Sequence, residues 1–230
     1  MFIGHFALAL AAKRLAPRRS LGTLTLAAQF IDLLWPTFLL LGIERVVIDP
    51  ALSGAPLDFV HYPVSHSLVA VSAWGGLLAL ACYALTRDGR GAWVVGALVV
   101  SHWLLDLIVH RPDLPLWFSG GPRFGMGLWN WPLAELGIEL ALFAVCFAVY
   151  LRTPAGRSAG AKPWVLAALL VGIQIANAFG PPPPSADAVA WVGQAQWLLV
   201  AAAYWADRPR AGAVTAAHAT RVVADLRESR

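Results

Sequence analysis

The stretch "GAWVVGALVVSHWLLDLIVH" (91–110) decides the fold, because its twenty residues are almost all apolar. A helix needs about 20 such residues to cross the hydrocarbon core of a membrane. Three ionisable residues interrupt the stretch at intervals of four: His102, Asp106 and His110. Residues four apart lie on one face of a helix, so the sequence predicts a membrane-spanning helix with a polar stripe.

The whole chain has the composition of a membrane protein. Of its 230 residues 59% are hydrophobic and 13% are charged, and the mean hydropathy is +0.65. A soluble domain carries about 25% charged residues. Four more stretches are long and apolar enough to span, namely 21–41, 66–85, 132–151 and 188–205, and the stretch 163–180 is a little shorter but also fits. We therefore predict an all-α, polytopic transmembrane helical bundle with six long helices.

A shorter apolar segment, residues 2–12, precedes these spans and is either a seventh span or a re-entrant half-helix. Residues 1–206 are predicted to form a single transmembrane domain, and residues 207–230 a polar tail with the pattern of an amphipathic surface helix. Fourteen of the 17 Lys and Arg residues fall in the tail and in the connections on its side of the bundle. By the positive-inside rule, that side and the tail are cytoplasmic.

Histidines and carboxylates in the spans are predicted to share one layer, from mid-depth toward the outer face. An ionisable group in a span costs at least about 2.5–3.5 kcal/mol, so each one requires a reason. His and Asp together suit zinc or a similar divalent ion. This layer contains His5, Asp32, His61, His66, His102, Asp106, His110, Glu135 and Glu139.

Several of these residues have simpler interpretations, which stay open. Glu135 follows Pro132 at a predicted helix start, where a carboxylate complements the helix amino end. His110 is interpreted as an interfacial residue, and His61 fits an ordinary loop position. Pro36 cannot donate a hydrogen bond to the carbonyl four residues earlier, so we expect a kink near Asp32.

Four sequence elements resemble the YdjM-like family of bacterial inner-membrane proteins, which are described as metal-dependent hydrolases. They are "GH" (4–5), "QFIDLLW" (29–35), "HYPVSHS" (61–67) and "SHWLLD" (101–106), and the resemblance covers roughly residues 1–110. Tyr62 and Pro63 stand where the family has Arg and Gly. The family is distantly similar to zinc-dependent phospholipase C and P1 nuclease, which implies phosphoester hydrolysis.

The leading hypothesis is a metal-dependent hydrolase of the bacterial inner membrane that acts near the periplasmic face on a lipid-like ester or phosphoester. Its metal ligands would be His66, His102 and Asp106, with His5 and Asp32 completing sites for one or two divalent ions, zinc first. Glu139, or else Glu135, would be the general base or a further ligand, and His61 would support a ligand or stabilise charge.

A transporter is the main alternative, in which the same cluster relays protons or ions and Gln174, Asn177, Gln194 and Gln196 line a polar route. A third hypothesis is a non-catalytic membrane protein that keeps the site for stability. Membrane lipids are the expected partners. The basic residues form no aromatic-interleaved stripe, so nucleic acid is not expected.

Overall fold

The computed structural model describes residues 1–209, and this part of the chain is mostly helical. The predicted tail helix lies almost wholly in residues 210–230, outside the described residues. In chain order the helices are α1 (Ile3–Ala12), α2 (Leu21–Ala28), α3 (Phe30–Leu40), α4 (Pro63–His66), α5 (Leu68–Thr86), α6 (Gly89–Val109), α7 (Pro132–Leu151), α8 (Pro154–Ala159), α9 (Lys162–Phe179), α10 (Ala186–Gln194) and α11 (Gln196–Ala206).

Four of these helices, α5, α6, α7 and α9, are long and apolar enough to cross a membrane. A fifth candidate is the pair α2 and α3, which bend by 54° relative to each other. Large apolar side chains such as Leu77, Leu80 and Val145 are exposed on α5 and α7, as suits contact with lipid. The structure thus supports membrane insertion with four to five spans, and the predicted count of six is not confirmed.

The predicted last span, 188–205, is two short helices in the structure. The chain leaves the first of them, α10, after Gln194 and enters α11 at Gln196. The pair packs along α3 and α2: Gln194 donates a hydrogen bond to Thr37, and Tyr204 contacts Thr23. Two interrupted helices therefore lie side by side.

The kink expected near Asp32 is found three residues earlier in the chain. Pro36 lies inside α3, and the bend is at Gln29, whose backbone leaves the helical region at φ −96° and ψ 1°. At this bend the carbonyl of Ala28 accepts a hydrogen bond of 2.8 Å from Nδ1 of His102. The interruption between α2 and α3 thus supplies an acceptor to a side chain of α6.

Two small antiparallel hairpins occupy the longest connections, which the all-α prediction did not include. The first pairs β1 (Arg45–Ile48) with β2 (Leu57–His61), and the second pairs β3 (Leu114–Pro115) with β4 (Arg123–Phe124). Arg111 donates to the carbonyl of Ala55 and thereby ties the two connections together. They cover one end of the bundle.

The opposite end collects the basic connections. Lys13 pairs with Asp207, Arg19 lies 3.3 Å from Asp88, and Lys162 donates to the carbonyl of Arg208. These contacts join connections from four parts of the chain and place them on one side, as the charge pattern predicts.

Helix α1 lies inside the bundle. Eight of its ten residues are buried, and it packs against α2, α6 and α7. At about 1.5 Å per residue it is about 15 Å long, half the thickness of a hydrocarbon core of about 30 Å. It therefore has the length of a half-helix rather than of a span.

Candidate metal centre

Four helices bring the predicted metal ligands to one place. Helix α1 contributes His5, α3 contributes Asp32 in its first turn, the short α4 ends with His66, and α6 contributes His102 and Asp106. All five side chains fall into two groups whose ligand atoms lie within 4.8 Å of one another, His5–Asp32–His102 and His66–His102–Asp106. His102 belongs to both groups and is the centre of the cluster.

Four side chains face one another at the spacing of metal ligands. Nε2 of His102 lies 3.2 Å from Oδ2 of Asp106 and 3.5 Å from Oδ1 of Asp32. Nε2 of His66 lies 3.8 Å and 3.5 Å from the same two oxygens. Zinc ligands stand about 2.0–2.1 Å from the ion, so the edge of their tetrahedron is about 3.3–3.4 Å. The four measured distances are close to this edge length.

Hydrogen bonds at Nδ1 explain why the two imidazoles of this group point their Nε2 atoms inward. Nδ1 of His102 donates to the carbonyl of Ala28, and Nδ1 of His66 lies 2.7 Å from Oγ of Ser65. The hydroxyl of Ser65 itself donates to Glu44, so its oxygen accepts from His66. With hydrogen at Nδ1, a neutral imidazole carries its lone pair at Nε2, the form in which it binds metals.

Glu44 supports His66 from behind, and the sequence prediction missed it. Its side chain is buried at the start of the first hairpin and accepts from the backbone N–H groups of Val64 and Ser65, each at 2.8 Å. It also accepts from the Ser65 hydroxyl at 2.6 Å. The one available signal was a carboxylate just after a predicted span, which is typical of many interfacial loops.

His5 occupies a different place from the other two imidazoles. Its ring stacks on that of His102, with centroids 3.6 Å apart and planes inclined by 3°. Nε2 of His5 lies 3.1 Å from Oδ1 of Asp106, and the amino group of Met1 lies 2.9 Å from the same oxygen. Asp106 thus directs one oxygen toward α1 and the other toward the ligand group.

Nearly the whole cluster is shielded from the surroundings. The side chains of His5, His66, His102 and Asp106 keep 4% or less of their area exposed, whereas Asp32 keeps 21%. Nε2 of His102 has no hydrogen-bond partner within residues 1–209. Buried charges in proteins are paired or coordinate metals, so this donor set suits a divalent cation that is reached past Asp32.

The three side chains predicted to be catalytic, Glu139, Glu135 and His61, are not members of the two ligand groups. Glu139 is buried and accepts hydrogen bonds from the backbone N–H groups of Phe2 and Gly4, at 3.3 Å and 2.9 Å. It therefore anchors the start of α1. Glu135 is half-buried in the first turn of α7, and His61 is exposed at the end of β2.

His110 is buried in the structure, whereas the sequence suggested an interfacial residue. Its Nδ1 donates to Asp113 at 2.8 Å, and the hydroxyl of Tyr62 donates to the same carboxylate oxygen at 2.9 Å. Burial lowers the pKa of His110, and the hydrogen bond to Asp113 only partly opposes this. Burial, with the charge of Asp113, raises the pKa of Tyr62 well above its ordinary value.

Comparison with known proteins gives no match: no family model, no curated protein and no solved structure is sufficiently similar to this chain. The assignment of a function therefore depends on the geometry and chemistry of the buried cluster.

Proposed function

We propose that this chain is a metal-dependent hydrolase of the bacterial inner membrane that acts on an ester or phosphoester of a lipid-like substrate. One observation carries the proposal: two imidazole nitrogens and two carboxylate oxygens from three helices face one another at 3.2–3.8 Å. Such a His and Asp donor set suits zinc or another divalent ion, and zinc is our first expectation.

His66, His102, Asp32 and Asp106 would hold this ion. A bound divalent ion supplies Lewis-acid catalysis, polarising an ester oxygen and acidifying water. Asp32 lies at the accessible edge of the group, where a substrate enters. Nδ1 of His5 is buried and has no hydrogen-bond partner within residues 1–209.

The depth of the site favours a lipid-like substrate. His102 is seven residues from the end of α6 and thirteen from its beginning, or about 10 Å and about 20 Å along the helix. The cluster thus lies closer to the hairpin end than to the basic end. With the basic end in the cytoplasm, as charge favours, the site is near the periplasmic leaflet, and lipids reach such a depth by lateral diffusion.

The proposed membership of the YdjM-like family is consistent with this arrangement. His5, Asp32, His66, His102 and Asp106, which carry the sequence resemblance, are the residues that form the buried cluster. Tyr62, which replaces an Arg of the family pattern, donates to Asp113 in this chain. Recognition of a substrate phosphate would therefore depend on other groups.

A transporter is a second candidate, favoured by buried amides beside the interrupted helices. Gln29, at the bend between α2 and α3, is fully buried and neither of its amide atoms has a partner within residues 1–209. Gln174 is also buried, and Gln196 begins α11. Asn177 is exposed, and Gln194 donates to Thr37. Discontinuous helices with polar groups are typical of transporter binding sites.

Metal content and hydrolysis together separate the two candidates. The full-length protein, purified in detergent, is analysed by inductively coupled plasma mass spectrometry and assayed with a fluorogenic phosphodiester and with phospholipid vesicles. The hydrolase proposal expects about one or two ions per chain and turnover that a chelator abolishes and added zinc restores. A metal-free protein that moves protons or solute across proteoliposomes would contradict it and support the transporter.

Matched variants test the ligand set in the same assay. Asp32→Asn should lose bound metal and turnover, whereas Asp58→Asn, an exposed position on β2, should keep the metal. Equal metal content in the two variants would remove Asp32 from the site. Thermal unfolding of both variants without metal shows whether either substitution merely prevents folding.

A further inference from the structure

A cavity at the basic end of the bundle is separate from the metal cluster. It has a volume of about 380 Å³ and is lined by residues 15–18 of the first connection together with Asp88, Arg90 and Gly91. Arg90 precedes His102 by twelve residues of α6, or about 18 Å along the helix. The volume lies within the range of about 300–1,000 Å³ that is usual for small-ligand pockets.

The charges around this cavity leave two arginines available. The carboxylate of Asp88 already has partners: its Oδ2 lies 3.3 Å from Arg19, and its Oδ1 accepts a hydrogen bond from the backbone N–H of Gly91. Arg18 and Arg90 are exposed, and neither has an ion-pair partner within residues 1–209. Two unpaired guanidinium groups at one cavity are the usual means of binding phosphate.

The border of the cavity is apolar on the side of the spans. Leu15, which lines the cavity, is 51% exposed, and Trp93 is 71% exposed one turn after Arg90 on the same face of α6. Exposed tryptophan at the end of a span is typical of the headgroup level of a bilayer. A ligand in this position meets guanidinium groups at one end and apolar surface at the other.

We propose that this cavity, which we call the arginine cavity, binds the phosphate of an anionic membrane phospholipid. Arg18 and Arg90 would bind the phosphate, and the acyl chains would pass Leu15 and Trp93 into the bilayer. Free inorganic phosphate offers the same charge to the arginines without the apolar portion. The exposed Leu15 and Trp93 favour the lipid.

The test uses full-length protein in mixed micelles and native mass spectrometry with phosphatidylglycerol and phosphatidylcholine in competition. Each arginine near a membrane surface strengthens the binding of anionic lipid about fivefold, so the pair should give about 25-fold preference for phosphatidylglycerol. The double variant R18Q/R90Q should lose most of this preference for phosphatidylglycerol. The matched control R14Q/R87Q removes two exposed arginines from the same connections but outside the cavity, and should retain it.

Two results would overturn the proposal. An equal loss in both double variants would show attraction to general surface charge, and binding of inorganic phosphate without preference between the lipids would assign the cavity to a soluble anion. Photo-crosslinking of the wild-type protein with diazirine-labelled phosphatidylglycerol needs no variant. Crosslinks should map to residues 15–18 and 90–93, and crosslinks confined to other regions would contradict the site.

Discussion

Nε2 of His102 lies 3.2 Å from Oδ2 of Asp106, one turn further along α6, and both side chains are almost completely buried. The other ring nitrogen, Nδ1, already donates to the carbonyl of Ala28. A neutral His102 thus has no hydrogen at Nε2 to place between itself and the carboxylate. These two atoms could hold a cation between them, which is the arrangement that we propose.

His102 is predicted to be a direct metal ligand. His102→Gln should reduce metal affinity by more than the roughly 10–100-fold that is typical of losing an outer partner, because a direct ligand is removed. Competition with a chromophoric chelator measures the affinity. His61→Gln, the same change at an exposed position, should leave it unchanged. Similar affinities in the two variants would contradict the assignment of His102.

A second prediction tests the support behind His66. Ser65→Ala removes the acceptor for Nδ1, and Glu44→Gln alters the group that fixes the Ser65 hydroxyl. Each should weaken metal binding about 10–100-fold. Asp58→Asn supplies the control for a carboxylate in the same connection. Unchanged affinity in Ser65→Ala would show that His66 is oriented by other contacts.

Glu139 is predicted to act on stability rather than on proton transfer. Glu139→Ala leaves two N–H groups at the start of α1 unpaired, at a cost of about 1–3 kcal/mol each in the free energy of unfolding. Thermal unfolding in detergent should show a large loss, and Glu135→Ala a smaller one. Loss of hydrolysis in Glu139→Ala at unchanged stability would instead identify Glu139 as the general base.

The pKa of His110 predicts how stability depends on pH. Burial lowers this pKa below its ordinary value of about 6.5, so below that pH the unfolded chain binds a proton that the folded chain does not. Stability should therefore fall as the pH decreases from 7 toward 5. In chelator-treated protein, His110→Gln should reduce this dependence and His61→Gln should not. The same dependence of stability on pH in the wild type, His110→Gln and His61→Gln would contradict the prediction.

Close packing of the interrupted helices predicts a difference between two glycines. A Cβ atom at Gly22 would lie 2.1 Å from the ring of Tyr204 on α11, whereas one at Gly76 would meet nothing within 4 Å. Gly22→Ala should cost about 1–3 kcal/mol of unfolding free energy by overpacking. Gly76→Ala should be neutral or stabilising. Equal thermal stabilities would contradict the packing of α11 on α2.

The sequence predicted which residues form the buried cluster, but not the residues that hold them in place. Membrane-spanning periodicity makes each polar residue conspicuous, so His66, His102 and Asp106 were visible as candidates without coordinates. Glu44 could not be recognised in this way, because it lies in a connection between spans. The hairpin in that connection places Glu44 against the backbone of α4. Contacts between distant loops leave no periodic signal in a sequence.

The exact positions of the interruptions in the spans were also not predicted from the sequence. Proline is a general signal for a kink, so Pro36 led to the expectation of a kink near Asp32. The bend is at Gln29, beside the contact between Ala28 and His102. The junction between α10 and α11 is at Ala195, two residues after Gly193, and the length of the apolar stretch 188–205 did not predict it.

The most direct test of the metal site is X-ray absorption spectroscopy at the edge of the metal that copurifies with the full-length protein. A shell of nitrogen and oxygen ligands at about 2.0–2.2 Å, with outer scattering from two imidazole rings, is the predicted result. A metal shell without imidazole scattering, or a protein that binds no metal in stoichiometric amount, would contradict it.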